Sequence, residues 1–468
     1  MALATFGPGI RASIASLSAV GLVSCSGAEP YTSPQMDLPA SFLQSSGGSI
    51  GQVADVRWWQ AFSDSRLNSL VSRGLSQNLD TRIAGERMSA AAAVARGAGI
   101  ALGGGFNGAA GVRGGSNAVD ERFATGTVQV SWVLDFFGRL SGQRAVAAAD
   151  LEAAGFGVEQ ARLAFLSELS GAYIDARFFQ NSLELTRRNL ASRQRTVDLT
   201  QRLLEADLVT SVDLTRARGL VDETRADIPD LEAGFRIASH RVATLLGLPA
   251  GSLVSELARG APQPTPRSIY PSGVPADLLR NRPDIRAAER NLAAAVARIG
   301  IARADLYPSI SLTGQITGTA RSEGVNGSTW GFGPIINLPI FGREALTANV
   351  SAREANAREA MLVWQRTVLQ GVEEVENALV AVSRARQSVA AQRRAVATLE
   401  EALQLSQDAF SSGERSVLDV LDAERRVGDA RLRYAAALRQ QAISFVALNV
   451  AIGAGRGLAA QSAAADAS

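Results

Sequence analysis

Apolar residues recur at every second position in four stretches of this chain, and at every third or fourth position through most of the rest. Ile310, Leu312 and Ile316 fall on one face of an extended segment, while Ser309, Ser311, Thr313 and Gln315 fall on the other. Val128, Val130, Trp132 and Leu134 alternate with Gln129 and Ser131 in the same way. Trp330, Phe332, Ile336 and Leu338 repeat the pattern against Gly331, Gly333 and Asn337. A fourth stretch, Leu102 to Val112, is glycine-rich and alternates least clearly. The pattern predicts four strands, two in each half of the chain.

Helical spacing fills the intervals. Leu67, Leu70, Val71 and Leu75 predict a first helix from Asp64 to about Ala98. Arg139 to about Leu208 and Arg343 to about Ser412 contain no proline, and each would extend roughly 100 Å at 1.5 Å per residue. Each is followed by a reversal and a return helix, about Thr210 to Leu246 and Ser416 to Ile452. Leu362, Leu369, Val372, Val375 and Leu379 lie at spacings of three, four and seven, as coiled-coil packing requires. The period switches from strand to helix twice, at Leu134-Asp135-Phe136-Phe137-Gly138-Arg139 and at Leu338-Pro339-Ile340-Phe341-Gly342-Arg343. The chain therefore reads as an internal tandem duplication of strands and long helices. Gly138 and Gly342 stand where a strand must turn into a helix, which favours a residue without a Cβ.

A strand with one apolar and one polar face suits a small sheet packed on helices, and at about ten residues it also suits a strand crossing an outer membrane. Closure separates the two. An open sheet edge is not tolerated in lipid, and four strands fall short of the roughly eight in the smallest barrel. The membrane alternative therefore demands oligomerisation. Gly114 to Arg122 and Arg321 to Ser328, between the paired strands, are polar and rich in Gly and Asn, as extracellular loops would be.

Composition narrows the function classes. Of the 468 residues, 46% are hydrophobic and 20% charged, with a formal net charge of +2. The basic residues are all Arg and are interspersed with Asp and Glu along helical segments, a solvated pattern rather than a nucleic-acid footprint. Gly47-Gly48-Ser49-Ile50-Gly51 matches a hydrolase elbow formally but lacks its flanking strand and helix. Gly103-Gly104-Gly105-Phe106-Asn107-Gly108 matches a dinucleotide fingerprint without a following helix. With one histidine, His240, in an unrelated helical segment, no enzyme class is supported, and no cofactor or metal is expected.

The single cysteine excludes an internal disulfide framework. Arg11, the apolar run Ala12 to Val23 and the small residues after it read as an export signal, residues 1–24. Leu22-Val23-Ser24-Cys25 resembles a bacterial lipobox, which implies a covalent lipid on Cys25; the alternative is an ordinary signal with a chance cysteine. Residues 25–63 read as a lipidated tether, 64–247 as the first repeat, 248–275 as a Pro-rich equatorial linker, 276–453 as the second repeat and 454–468 as a disordered tail.

Val274-Pro275-Ala276-Asp277-Leu278-Leu279-Arg280-Asn281-Arg282-Pro283-Asp284-Ile285-Arg286-Ala287-Ala288-Glu289, continued by Ile299 to Leu312, resembles the hallmark of the TolC/OprM-type outer-membrane efflux lipoproteins. These are the outer-membrane factors of tripartite RND-type efflux systems, and the likeness extends to NodT-like members. Trp58-Trp59-Gln60-Ala61-Phe62, the two Phe-Gly-Arg turns with Arg139 and Arg343, and the lipobox fit the same family. The resemblance implies an α+β membrane protein: a homotrimer whose four strands per chain close a twelve-stranded outer-membrane β-barrel, continued by a periplasmic α-helical coiled-coil tunnel. It implies an exit duct for drugs or other small molecules, partnered by a periplasmic adaptor and an inner-membrane RND-type transporter in a lipid-anchored outer-membrane location.

Phe410 to Ala423 is similar to the periplasmic tip of that family. Asp419 and Asp422 are three apart and share a helix face, so threefold symmetry would stack them as two acidic rings favouring cations. The plainer alternative is two exposed acids near a helix N-terminus, where the macrodipole favours them. The resemblance also implies an ion pair between Asp213 and Arg415, with Phe410 nearby, holding neighbouring coils shut. Asp207 stands where Gly413 stands in the second half, so the first reversal is expected to differ in shape. Two other functions remain open, the exit duct of a type I protein-secretion system and a non-conducting periplasmic coiled-coil scaffold.

Overall fold

The computed structural model describes residues 31–43, 56–115, 118–267, 275–322 and 324–457. The expected signal peptide, Cys25 and the formal elbow at 47–51 lie outside them. The helices are α1 (Ser65–Gln77), α2 (Leu79–Gly97), α3 (Arg139–Glu205), α4 (Ser211–Ala226), α5 (Ile228–Leu245), α6 (Val254–Leu257), α7 (Pro275–Asn281), α8 (Pro283–Ala304), α9 (Arg343–Ser411) and α10 (Val417–Ala451). The strands are β1 (Leu102–Gly115), β2 (Ala118–Leu134), β3 (Ser309–Arg321) and β4 (Gly327–Asn337). The chain divides into two compact units, one of Met1–Pro34, Ala90–Glu152 and Glu289–Val363, the other of Gln35–Ser89, Ala153–Ala288 and Trp364–Ser468.

The first unit holds an antiparallel sheet in the order β1-β2-β3-β4. Its register carries one apolar face across all four strands. Phe106 lies opposite Val128, Val128 opposite Ile316, and Ile316 opposite Trp330; two rungs along on the same face, Leu102, Trp132, Leu312 and Pro334 align likewise. On the other face Gln129 stands between Gly105 and Gln315, and the Thr127 and Thr317 hydroxyls hydrogen-bond at 2.9 Å. The glycine-rich stretch is a full strand of 14 residues, because aromatic rings from the sheet cover its bare backbone. The Phe106 ring leaves 3.3 Å to a Cβ at Gly108 and 3.1 Å to one at Gly126, and Phe123 covers Gly111 in the same manner. The dinucleotide-like glycines therefore lie in a strand, with no helix to receive a phosphate.

Both strand-to-helix turns place glycine in the left-handed region, with φ of 78° at Gly138 and 76° at Gly342. Asp135 caps the first long helix, its carboxylate accepting from Leu140 N at 2.9 Å and Ser141 N at 2.8 Å. Arg139 pairs with Asp305 at 3.2 Å. Among the described residues no helix is long and apolar enough to cross a membrane.

The helical unit corrects several expectations. The tether 25–63 is packed rather than free in its described part: Phe42 is buried, Leu43 N donates to Glu376, and Trp58–Phe62 form a 3₁₀ turn with Trp58, Trp59 and Phe62 buried. Phe62 meets Phe445 edge-on at 5.4 Å. The first helix is two, broken at Asn78, whose amide donates to Leu245 O and whose carbonyl caps α2 through Thr81 N. The first return helix breaks at Asp227, because Pro229 at the start of α5 has no N–H to continue the ladder. The linker contains a 3₁₀ turn, Ala250–Leu253, and α6, with Leu253 and Leu257 buried. The described start of the expected tail is packed: Ala454 and Arg456 are buried, Trp58 Nε1 donates to Ala454 O, and Arg456 pairs with Glu159 at 3.2 Å.

The hallmark segment is a structural knot. Pro283 opens α8, and the buried Arg282 guanidinium holds Asp284 and Glu374, each at 2.6 Å, and donates to Ala451 O at 3.1 Å. It thereby fixes α8 to α9 and to the end of α10.

Candidate functional site

The two helix reversals, both in the helical unit, carry the residues singled out for gating. After α3, Asp207 N donates to Leu204 O at 3.0 Å and Leu208 N to Leu203 O at 2.9 Å. After α9, Gly413 N donates to Phe410 O at 3.0 Å and Glu414 N to Ala409 O at 2.9 Å. These are the same nested pairs of bonds, closed by a left-handed residue with φ of 56° at Asp207 and 77° at Gly413. The expected difference in shape is not found; a short polar side chain tolerates the left-handed conformation that glycine adopts freely. Asp207→Gly is accordingly expected to stabilise the first reversal by about 0.5–1 kcal/mol. Thermal unfolding of the variant measures this, and a lowered midpoint would refute it.

Both reversals then start a helix in the same way. Asp213 accepts from Thr210 N at 3.0 Å and from Thr210 Oγ1 at 2.7 Å, while Asp213 N donates back to Thr210 Oγ1. Asp419 accepts from Ser416 N at 3.2 Å. These carboxylates each satisfy an orphan backbone donor at a helix start. Asp422 is gripped from its own helix by Arg425 at 2.8 Å and Arg426 at 2.6 Å. Arg415 lies 3.9 Å from Asp419, so within one chain the expected Asp213–Arg415 pair is replaced by contacts local to each helix start. The Thr210 hydroxyl bond holds the Asp213 carboxyl below the usual carboxylate range, and the Arg425 bond does the same for Asp422. A lowered folded-state value favours folding above the ordinary carboxylate range, and this contribution fades as pH falls through the lowered value. The Asp213 and Asp422 carboxylates therefore stay ionised at neutral pH.

Phe410, half-buried, packs with Leu204 on a cluster of Val197, Leu214, Ala217, Val221, Val417 and Leu421. One apolar plug thus joins the two hairpins just behind the reversals. A polar tie lies alongside it: buried Glu424 accepts from Ser192 Oγ at 2.9 Å and Thr196 Oγ1 at 3.1 Å, linking α10 to α3. Sequence reasoning missed Glu424, since an acid at helical spacing beside arginines reads as surface. Gly428, against Asn189, was the available signal of close approach at this seam. His240 is half-buried in α5, and among the described residues no group of acids, His or Cys is arranged to hold a metal.

The model of the family described as outer membrane efflux protein matches residues 70–248 and 274–454. The chain belongs to this family. It is 42% identical over 437 residues to nodulation protein T of Rhizobium leguminosarum bv. trifolii, covering 91% of this chain and 93% of that one. It is 28% identical over 454 residues to the cation efflux system protein CusC of Escherichia coli K12, covering 93% and 98%. Its fold is similar to that of the outer-membrane channel OprN, with a TM-score of 0.84 and 29% identity, over 92% of this chain and 100% of that one. The protein is thus an outer-membrane efflux channel with a periplasmic extension.

Proposed function

We propose that three copies join edge to edge into a twelve-stranded barrel and serve as the passive exit duct of a tripartite pump. Solutes reach it from an inner-membrane RND-type transporter through a periplasmic adaptor, and a lipid on Cys25 anchors each chain. The observation that carries this reading is the four-stranded sheet, apolar on one face, polar on the other, with β1 and β4 at its two edges. An open edge in hydrocarbon leaves backbone groups unsatisfied, and four strands cannot close alone, so partners of the same kind must supply the missing pairing. The likeness to a protein named for cation efflux favours small solutes over secreted polypeptides.

The reversals act as the periplasmic gate in this reading. Asp419 and Asp422 from three chains ring the axis, Phe410 and its cluster hold the hairpins together, and Arg415 and Asp213 set the charge around them. Exposed pairs contribute only about 0–1 kcal/mol each, so closure relies on three symmetry-related copies acting together.

Single-channel recording from purified trimers in planar bilayers tests this. Small cation-selective currents are expected, blocked by multivalent cations from the periplasmic side in the wild type and not in Asp419→Ala/Asp422→Ala. Folded trimers that never conduct would leave a scaffold in place of a duct. Equal block of both proteins would move the gate elsewhere.

A further inference from the structure

The apolar face of the sheet is dented at Gly314. Val130, Trp132, Leu312, Ile316, Trp330 and Phe332 surround this glycine and enclose a depression of about 430 Å³ with an almost wholly apolar lining. Trp330 and Phe332 remain largely exposed at its rim. Strand β2 ends at Leu134, next to the turn into α3, so the rungs from Trp132 to Val128 lie roughly 7–20 Å from the helical end of the sheet. That interval matches the depth of the periplasmic leaflet, about 15 Å.

The N-terminal segment approaches the same end of the same unit. Tyr31 packs with Val146 on a cluster of Ala149, Ala293 and Ala294, and the Arg290 guanidinium lies 5.5 Å from the centre of its ring. Val146 is seven residues into α3, about 10 Å from the helix start. Tyr31 lies six residue steps from Cys25, a span of at most about 20 Å when extended. That length is sufficient for Cys25 to reach the level where β2 meets α3. A hydrocarbon chain of leaflet length attached there extends over the rungs that enclose the depression.

We propose that the Gly314 depression binds an acyl chain carried by Cys25, which seats the anchor against the barrel wall instead of leaving it free in the leaflet. The inference rests on the lipidation and membrane readings above. Gly314 provides the floor, the two tryptophans the walls, and the tether length selects the chain's own anchor as occupant over other lipids.

The test is photo-crosslinking of the full-length lipoprotein in outer membranes. p-Benzoylphenylalanine replaces Ile316 at the rim or, as a control, Val112 on the same face near the far end of β1. After irradiation, the peptide bearing position 316 is expected joined to the acylated Cys25 peptide, while the peptide bearing position 112 is not. Gly314→Leu, which fills the depression, should abolish the crosslink from position 316 while heat-modifiable trimers persist. Phospholipid adducts alone at position 316, or an undiminished anchor crosslink in Gly314→Leu, would overturn the proposal. An N-terminal peptide whose mass shows no acylation at Cys25 would overturn it together with the lipidation reading, and so distinguishes the two failures.

Discussion

Replacing Arg177 with methionine is expected to destabilise the helical unit by about 2–4 kcal/mol, since each buried acceptor that loses its donor costs about 1–3 kcal/mol. Arg177 is 0% exposed. Its Nη1 donates to the Leu257 and Arg259 carbonyls, each at 3.0 Å, and its Nε to the Tyr173 hydroxyl at 3.0 Å. That hydroxyl donates in turn to Asp64 at 2.7 Å, and Asp64 caps α1 through Arg66 N and Leu67 N. A single guanidinium thus ties α3 to the chain after α6 and, through Tyr173, to the start of α1. Burial first, then the bond to Asp64, raises the Tyr173 phenol well above its ordinary value, so it remains a donor throughout the physiological range. Methionine fills similar volume but removes a donor from two carbonyls and from the phenol oxygen, the Leu257 carbonyl keeping only a 3.4 Å bond from Gln180 and the phenol only its bond to Asp64. Lysine is not expected to rescue, because its compact ammonium cannot reproduce the planar fork. Denaturant titration followed by circular dichroism measures the loss; less than 1 kcal/mol would refute the account.

Gly453→Ala is the second large effect, about 2–5 kcal/mol from left-handed strain and steric overlap together. Gly453 has φ of 75°, and a Cβ there would overlap the Asn281 carbonyl oxygen and stand 2.9 Å from its carbon. Asn281 precedes Arg282, so relief by backbone movement would pull the guanidinium from Asp284, Glu374 and Ala451 O. The expected result is a lowered unfolding midpoint and a smaller yield of heat-modifiable trimer. Gly219→Ala, in α4, where a Cβ meets nothing within 4 Å, is the matched control and should be neutral or slightly stabilising. Equal behaviour of the two variants would refute the steric argument.

The elements with the longest unbroken periods were the most legible from sequence. The proline-free runs are indeed helices of 67 and 69 residues, and the glycines at 138 and 342 take the left-handed turn that a strand-to-helix switch requires. Breaks decided by tertiary contacts were not legible: Asn78 ends a helix because Leu245 O accepts its amide, a partner 167 residues away. The tryptophans at 58 and 59 sit in a polar, aperiodic stretch, and only their packing near Phe445 and Ala454 reveals them as core. At the tip, Asp419 and Asp422 both lie in the first turns of α10, but their spacing alone did not show that one serves the helix start and the other two arginines. Asp207 misled because residue type was taken to dictate turn geometry, whereas the paired backbone bonds dictated it and the side chain complied.

The unpaired edges of the sheet have a consequence for heredity. With the three-chain closure proposed above, β4 of each subunit must be zipped to β1 of the next, so every chain answers for two seams. An allele encoding a second proline within β4, besides the resident Pro334 and at a position whose N–H faces the seam, would not merely be lost; its product would enter mixed assemblies and spoil them. In a cell making both forms equally, only about one assembly in eight would be wholly sound. Such an allele would be dominant, and its severity would follow gene dosage.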